Sequence, residues 1–267
     1  MVTERIEKIR QNYVNNKPAI STERAWLWTE SHKQTEGLPV CIQRARAFYD
    51  CCDKLTVHIF EGELIVGAVG EHRKCGILTP EFSWLWVDKE MDTFSDRPQD
   101  PYEMTDEQRA FMREQVFPYW KNKSLEEAFL ARVPEDTKHI GVDTGVLDND
   151  SKWRQAVGEI TPDYQDVLFK KGFGGLIREA EEHIAQLDMT NPEDEDKRDF
   201  YESTLWTSRG IIRYANRYAD AAEEMAKTES DPVRAEELRV IAKNCRRVPE
   251  NPPESFYEAL QFIWFVQ

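Results

Sequence analysis

The 267-residue sequence has no apolar run long enough to span a bilayer, and its opening MVTERIEKIRQ has no apolar core of a secretory signal. A cytoplasmic protein is the expectation. Positive charge is in short supply: 35 Lys and Arg against 50 Asp and Glu leave a formal net charge of −15. That argues against a nucleic-acid partner, which needs clustered Lys and Arg, and disfavours an anionic membrane surface. Cysteine is sparse and odd in number, at Cys41, Cys51, Cys52, Cys75 and Cys245, with no zinc-finger spacing. A reduced compartment follows. The five His never form an H-x-x-x-H or H-x-x-E-H pair, so no metal is expected. No G-x-S-x-G elbow is present. Gly172-Phe173-Gly174-Gly175 lacks the preceding strand of a phosphate loop and reads as a turn between two helices.

What the sequence does have is helix-start grammar. Thr79-Pro80-Glu81, Thr161-Pro162-Asp163, Asn191-Pro192-Glu193 and Asp231-Pro232 each set a capping residue before a proline at the first helical position. Thr105–Gln108, Ser124–Glu127 and Ser255–Glu258 have capping-box spacing. Thr3–Asn15, a segment capped by Ser21 and ended by Gly37, Leu38–Asp53, Asp196–Lys227 and Val233–Cys245 carry helical periodicity. In Asp196–Lys227 the apolar stripe runs through Leu205, Ile212, Ala215, Ala219, Ala222 and Ala226, flanked by Tyr201, Tyr214 and Tyr218. An α-dominated body follows. Ser95–Met104, with two prolines, reads as a loop, and Val133–Gly158 gives the weakest pattern.

One stretch resists that grammar. At the start of Ile59–Glu81, IFEGELIVGAVGEHRKCGILTPE, and just before it, the runs Thr56–Phe60 and Glu63–Val66 predict short strands parted by Gly62. Within it Cys75 lies among Arg73, Lys74 and Gly76, neighbours that could favour a thiolate. At the far end, FYEALQFIWFVQ is apolar nearly all round, which predicts a buried helix over Phe256–Gln267 and a natural chain that continues past it. Glu159 follows Gly158 and precedes a capped helix start. Its carboxylate reads either as a substrate contact in a cavity or as a solvated loop acid.

Eight segments then point to a family. ISTERAWLWTESHKQTEG, LPVCIQRARAF, ELIVG, TPEFSWLW, RPQDPYEM, EQVFPYW, DYQDVLFKKGFGGL and PPESFYEALQFIWFV stand in this order over nearly the whole chain. They resemble the N-terminal part of the pyruvate formate-lyase superfamily of glycyl radical enzymes. The resemblance is greatest to the branch of choline trimethylamine-lyase and the glycerol, propanediol and hydroxyproline dehydratases. It implies an α-dominated α/β fold: one domain over residues 1–267 that forms the N-terminal portion of a ten-stranded α/β barrel, incomplete in this chain.

The chemistry implied is radical. A glycyl radical near the C-terminus, installed by a radical S-adenosylmethionine activating enzyme, generates a thiyl radical that abstracts hydrogen from a small-molecule substrate, and a Glu acts as base. The family's G-C-x-E and R-V-x-G-Y motifs do not occur here. The resemblance therefore transfers no catalytic residue, and this chain alone should be inert. A homodimer and a cytoplasmic or bacterial-microcompartment setting are further implications. One position carries over: Glu159 falls where the family has a pocket-lining Asp or His. Ser151 stands where choline lyases have a pocket Tyr. A carboxylate at 159 suits a hydroxylated or cationic substrate better than an anionic sulfonate. The reading is thus part of a lyase or dehydratase that eliminates a C–N or C–O substituent. The alternatives are a carbon–carbon lyase or decarboxylase of the same superfamily, and a non-catalytic helical protein that binds through Phe256–Gln267. As a partial fold the chain should expose Trp264 and Phe265.

Overall fold

The computed structural model describes residues 3–146 and 162–267, and Thr161 and Glu159 lie outside them. The chain divides into two compact units. One comprises residues 3–16, 30–73 and 162–267, the other residues 17–29 and 74–146. Helices dominate both. Two three-residue strands occur among the described residues, β1 (Ala19–Ser21) and β2 (Cys75–Ile77), paired in parallel with Ala19 opposite Cys75.

The first unit is built on α1 (Glu4–Asn15), the second half of α2 (Glu23–Gln34), and α3 (Val40–Lys54). The second unit holds the strands, the first half of α2, α4 (Pro80–Glu90), and the short helices α5 (Asp106–Phe111), α6 (Phe117–Trp120), α7 (Leu125–Leu130) and α8 (Glu135–Thr137). Returning to the first unit, the chain forms α9 (Phe169–Ile184), the 37-residue α10 (Pro192–Thr228), α11 (Pro232–Arg247) and α12 (Phe256–Val266).

The capping grammar is realised at most of these positions; Pro162 departs from it, because it precedes the helical turn Tyr164–Leu168, which is capped by Asp163 accepting from Asp166 N–H at 2.8 Å. Thr105, Ser124 and Ser255 each form a full reciprocal capping box. Asn191 and Asp231 accept hydrogen bonds from Glu193 N–H and Val233 N–H ahead of their prolines. Thr79 is an exception: it precedes α4 without a side-chain capping bond, and the helix kinks at Ser83. Ser21 also departs from expectation, because it ends β1, although its hydroxyl still accepts from Glu23 N–H at 3.4 Å. Ser95–Met104 is a loop only in part, since a 3₁₀ turn covers Met91–Asp96.

In the first unit α10 is the central column. Its Ala215, Ala219, Ala222 and Ala226 are buried with Leu238, Ile241 and Cys245 of α11, the small alanines allowing the two helices to approach closely. Ile211 and Tyr218 join this face, whereas Ile212 is only half-buried. Where α3 ends, Arg217 donates to the carbonyls of Cys52 and Leu55 at 2.9 and 2.6 Å, which satisfies oxygens that have no helical partner. Gly172 (φ +62°, ψ 175°) breaks α9, as the glycine cluster predicted. The freed N–H groups of Phe173 and Gly174 donate to the carbonyls of Pro249 and Glu250, both at 2.9 Å.

In the second unit Arg24 makes a two-pronged bond to Glu81 at 2.9 and 2.6 Å. Trp120 donates to Thr29 Oγ1 at 2.8 Å. Tryptophans hold acids here as well: Trp84 Nε1 reaches Glu127 at 3.0 Å and Trp86 Nε1 reaches Glu90 at 2.7 Å.

The final helix corrects its expectation. Gln261, Phe262 and Phe265 are buried, but Phe256 is 80% exposed and Trp264 52%. The helix is thus amphipathic in place: Phe256, Leu260 and Trp264, four residues apart, form one uncovered stripe. Trp264 is exposed as predicted, while Phe265 turns into the core beside Tyr214 and Tyr218.

Candidate functional site

Residues 56–60 and 63–66 form no strands. The segment crosses the first unit as an irregular strap, and the reason lies in its hydrogen bonds. A buried extended backbone needs a partner for each N–H and C=O. Here side chains from α10, α11 and α12 supply the partners that a neighbouring strand would otherwise offer. Arg234 donates to the Glu63 carbonyl at 2.7 Å, and the Tyr257 hydroxyl donates to the Leu64 carbonyl. The Gln261 amide grips Val66 at both ends: it accepts from Val66 N–H at 3.0 Å and donates to Val66 C=O at 2.7 Å. Tyr218 accepts from Ala68 N–H at 2.7 Å, and Tyr214 donates to Ala68 C=O at 2.6 Å.

The two phenol oxygens lie 3.3 Å apart. With the Tyr214 proton on the Ala68 carbonyl, the Tyr218 proton goes to the Tyr214 oxygen or to the same carbonyl at 3.2 Å. Burial pushes both phenols up from their ordinary pKa. They therefore act here as neutral hydrogen-bonding groups. Burial likewise raises the Tyr257 phenol to about 12. Gly67 (φ +139°) lets the strap pass beneath α12, because a Cβ there would stand 2.9 Å from Trp264 Cδ1. This clasp is built to hold backbone in place, and none of its three tyrosines is poised to exchange protons near neutral pH.

Glu159 lies outside the described residues. Cys75 sits in β2, half-buried, its Sγ 3.7 Å from the Gly76 carbonyl. The guanidinium of Arg73, its neighbour in sequence, lies 4.7 Å over the Phe60 ring and 3.6 Å from Glu63. Burial pushes the Cys52 thiol up, and the Cys245 thiol to about 12, which marks both as core residues. His183 stacks on Tyr201 with centroids 5.0 Å apart, and His58 stacks on Phe60 at 6.0 Å. Among the described residues no group of three or more His, Cys, Asp or Glu could hold a metal.

Among the described residues, grooves open on the first unit. One, of about 580 Å³, is almost wholly apolar and lined by Leu64, Val233, Val240 and Tyr257. Another, of about 430 Å³, is charged, with Arg5, Lys8 and Arg234 facing Glu61, Glu229 and Asp231. Its cations are already engaged: Arg5 and Arg234 share Glu237, and Lys8 holds Glu61.

Sequence reasoning missed the clasp. Gln261 was its strongest signal, as the one amide in an apolar helix, because a buried amide demands a partner. Tyr214 and Tyr218 are one helical turn apart and so share a face.

A family model described as pyruvate formate lyase-like matches residues 2–267. An isethionate sulfite-lyase of Oleidesulfovibrio alaskensis is 36% identical, over 99% of this chain and 33% of that protein. The glycerol-bound B12-independent glycerol dehydratase of Clostridium butyricum superposes with a TM-score of 0.91 at 33% identity, over 99% of this chain and 33% of that one. A glycyl radical enzyme of Archaeoglobus fulgidus does so with a TM-score of 0.88 at 34% identity, over 99% and 33%. The chain spans about a third of the length of these relatives.

Proposed function

Since the chain belongs to the pyruvate formate-lyase-like family, we propose that it is part of a longer protein, a glycyl radical lyase or dehydratase. It would remove a C–N or C–O substituent from a small hydroxylated or cationic substrate. The observation that carries this reading is the superposition of 99% of the chain on a glycerol-bound dehydratase at 33% identity. The radical supplies hydrogen abstraction from carbon. These 267 residues contain neither a G-C-x-E nor an R-V-x-G-Y motif, so no residue here is assigned to that step. Radical installation is assigned to a separate radical S-adenosylmethionine activating enzyme, and the longer protein is assigned a homodimeric, cytoplasmic state.

Glu159 is the substrate-binding residue in this proposal. A carboxylate in a pocket accepts hydrogen bonds from substrate hydroxyls and attracts a cationic head group. A second reading, cleavage of a carbon–sulfur bond in a sulfonate, draws on the 36% identity to an isethionate sulfite-lyase. Anaerobic turnover by the activated full-length protein on choline, glycerol, propane-1,2-diol, 4-hydroxyproline and isethionate separates the two. In that protein Glu159→Gln should lower kcat/KM on the preferred substrate while the circular dichroism spectrum and melting temperature stay unchanged. An unaltered kcat/KM would remove Glu159 from the pocket.

A further inference from the structure

We draw no further inference here: the strongest candidate, the apolar groove of the first unit lined by Leu64, Val233, Val240 and Tyr257, carries nothing because its rim acids Glu236 and Glu237 are already paired with arginines and nothing in the structure shows what covers it.

Discussion

Gln261→Met tests the clasp directly. Gln261 is 1% exposed and Val66 is fully buried, so water cannot replace the amide. Methionine keeps the length and nearly the volume of the side chain, which limits any packing loss. What disappears is the pair of bonds at 3.0 and 2.7 Å. Each stranded backbone group costs roughly 1–3 kcal/mol, so the variant should lose about 2–6 kcal/mol. Urea unfolding followed by circular dichroism reads that loss, and hydrogen exchange at the Val66 amide localises it. Gln261→Glu adds a pH signature. Its carboxylate can still accept from Val66 N–H, but an oxygen would then face the Val66 carbonyl. Burial and that carbonyl raise the carboxyl pKa above its unfolded value of about 4.3. A raised pKa means stability that is present below the unfolded value and lost as pH climbs through the folded one. The variant should therefore match the parent most closely in mild acid and diverge towards neutral pH. An unfolding free energy for Gln261→Met within about 0.5 kcal/mol of the parent, with Val66 exchange unchanged, would refute the account of why this segment needs no strand partner.

Two glycines with positive φ should respond differently. At Gly172 a Cβ would stand 2.2 Å from the Glu250 carbonyl oxygen, whereas at Gly37 (φ +90°) it would meet open space. Gly37→Ala should cost only the backbone strain of about 1–2 kcal/mol. Gly172→Ala should cost well beyond that, as melting temperatures will show. Among the caps, Ser255→Ala should lose about 1 kcal/mol, since the hydroxyl accepts from Glu258 N–H. Thr79→Ala should stay within about 0.5 kcal/mol, because Thr79 makes no side-chain capping bond; equal losses in urea titrations would count against this reading. A thiol reagent should modify exposed Cys41 in the folded protein, with Cys52 and Cys245 reacting only in denaturant. Mass spectrometry of the labelled peptides decides this.

The helices were legible because their signals are local. Asn191-Pro192 or Ser255–Glu258 carries both halves of a capping interaction within four residues, and tertiary context had only to leave them alone. The strap was misread because its signal is not local. Thr56–Phe60 and Glu63–Val66 have strand-like composition, but a strand also needs a neighbour, and here Arg234, Tyr257 and Gln261 lie at least 170 residues away in sequence. β-propensity reports a fit to a pleated surface, not the identity of the hydrogen-bonding partner. The actual strands escaped notice for the converse reason: Ala19–Ser21 and Cys75–Ile77 are three residues each, too short to show alternation. Phe256–Val266 went half wrong because hydrophobicity all round a helix gives the amount of apolar surface without saying which part is covered.

The candidate site is proposed only through resemblance, and that makes its two parts separable. Family membership rests on residues spread over the whole chain, so no single position can undo it. The role of Glu159 rests on one aligned position and on charge. Two like charges about 4 Å apart repel by roughly 4 kcal/mol at an effective dielectric of 20, nearly a thousandfold in affinity. A pocket with an ionised Glu159 facing the anionic group is therefore a poor one for a sulfonate. If the activated full-length protein cleaves isethionate, Glu159 must be protonated, be paired with a cation, or point away from the substrate. In that case Glu159→Gln should leave KM for isethionate unchanged or lower it. If the substrate is instead a diol or a quaternary amine, the same variant should raise KM. The sign of that one shift tests the carried-over residue while leaving the family assignment where it stands.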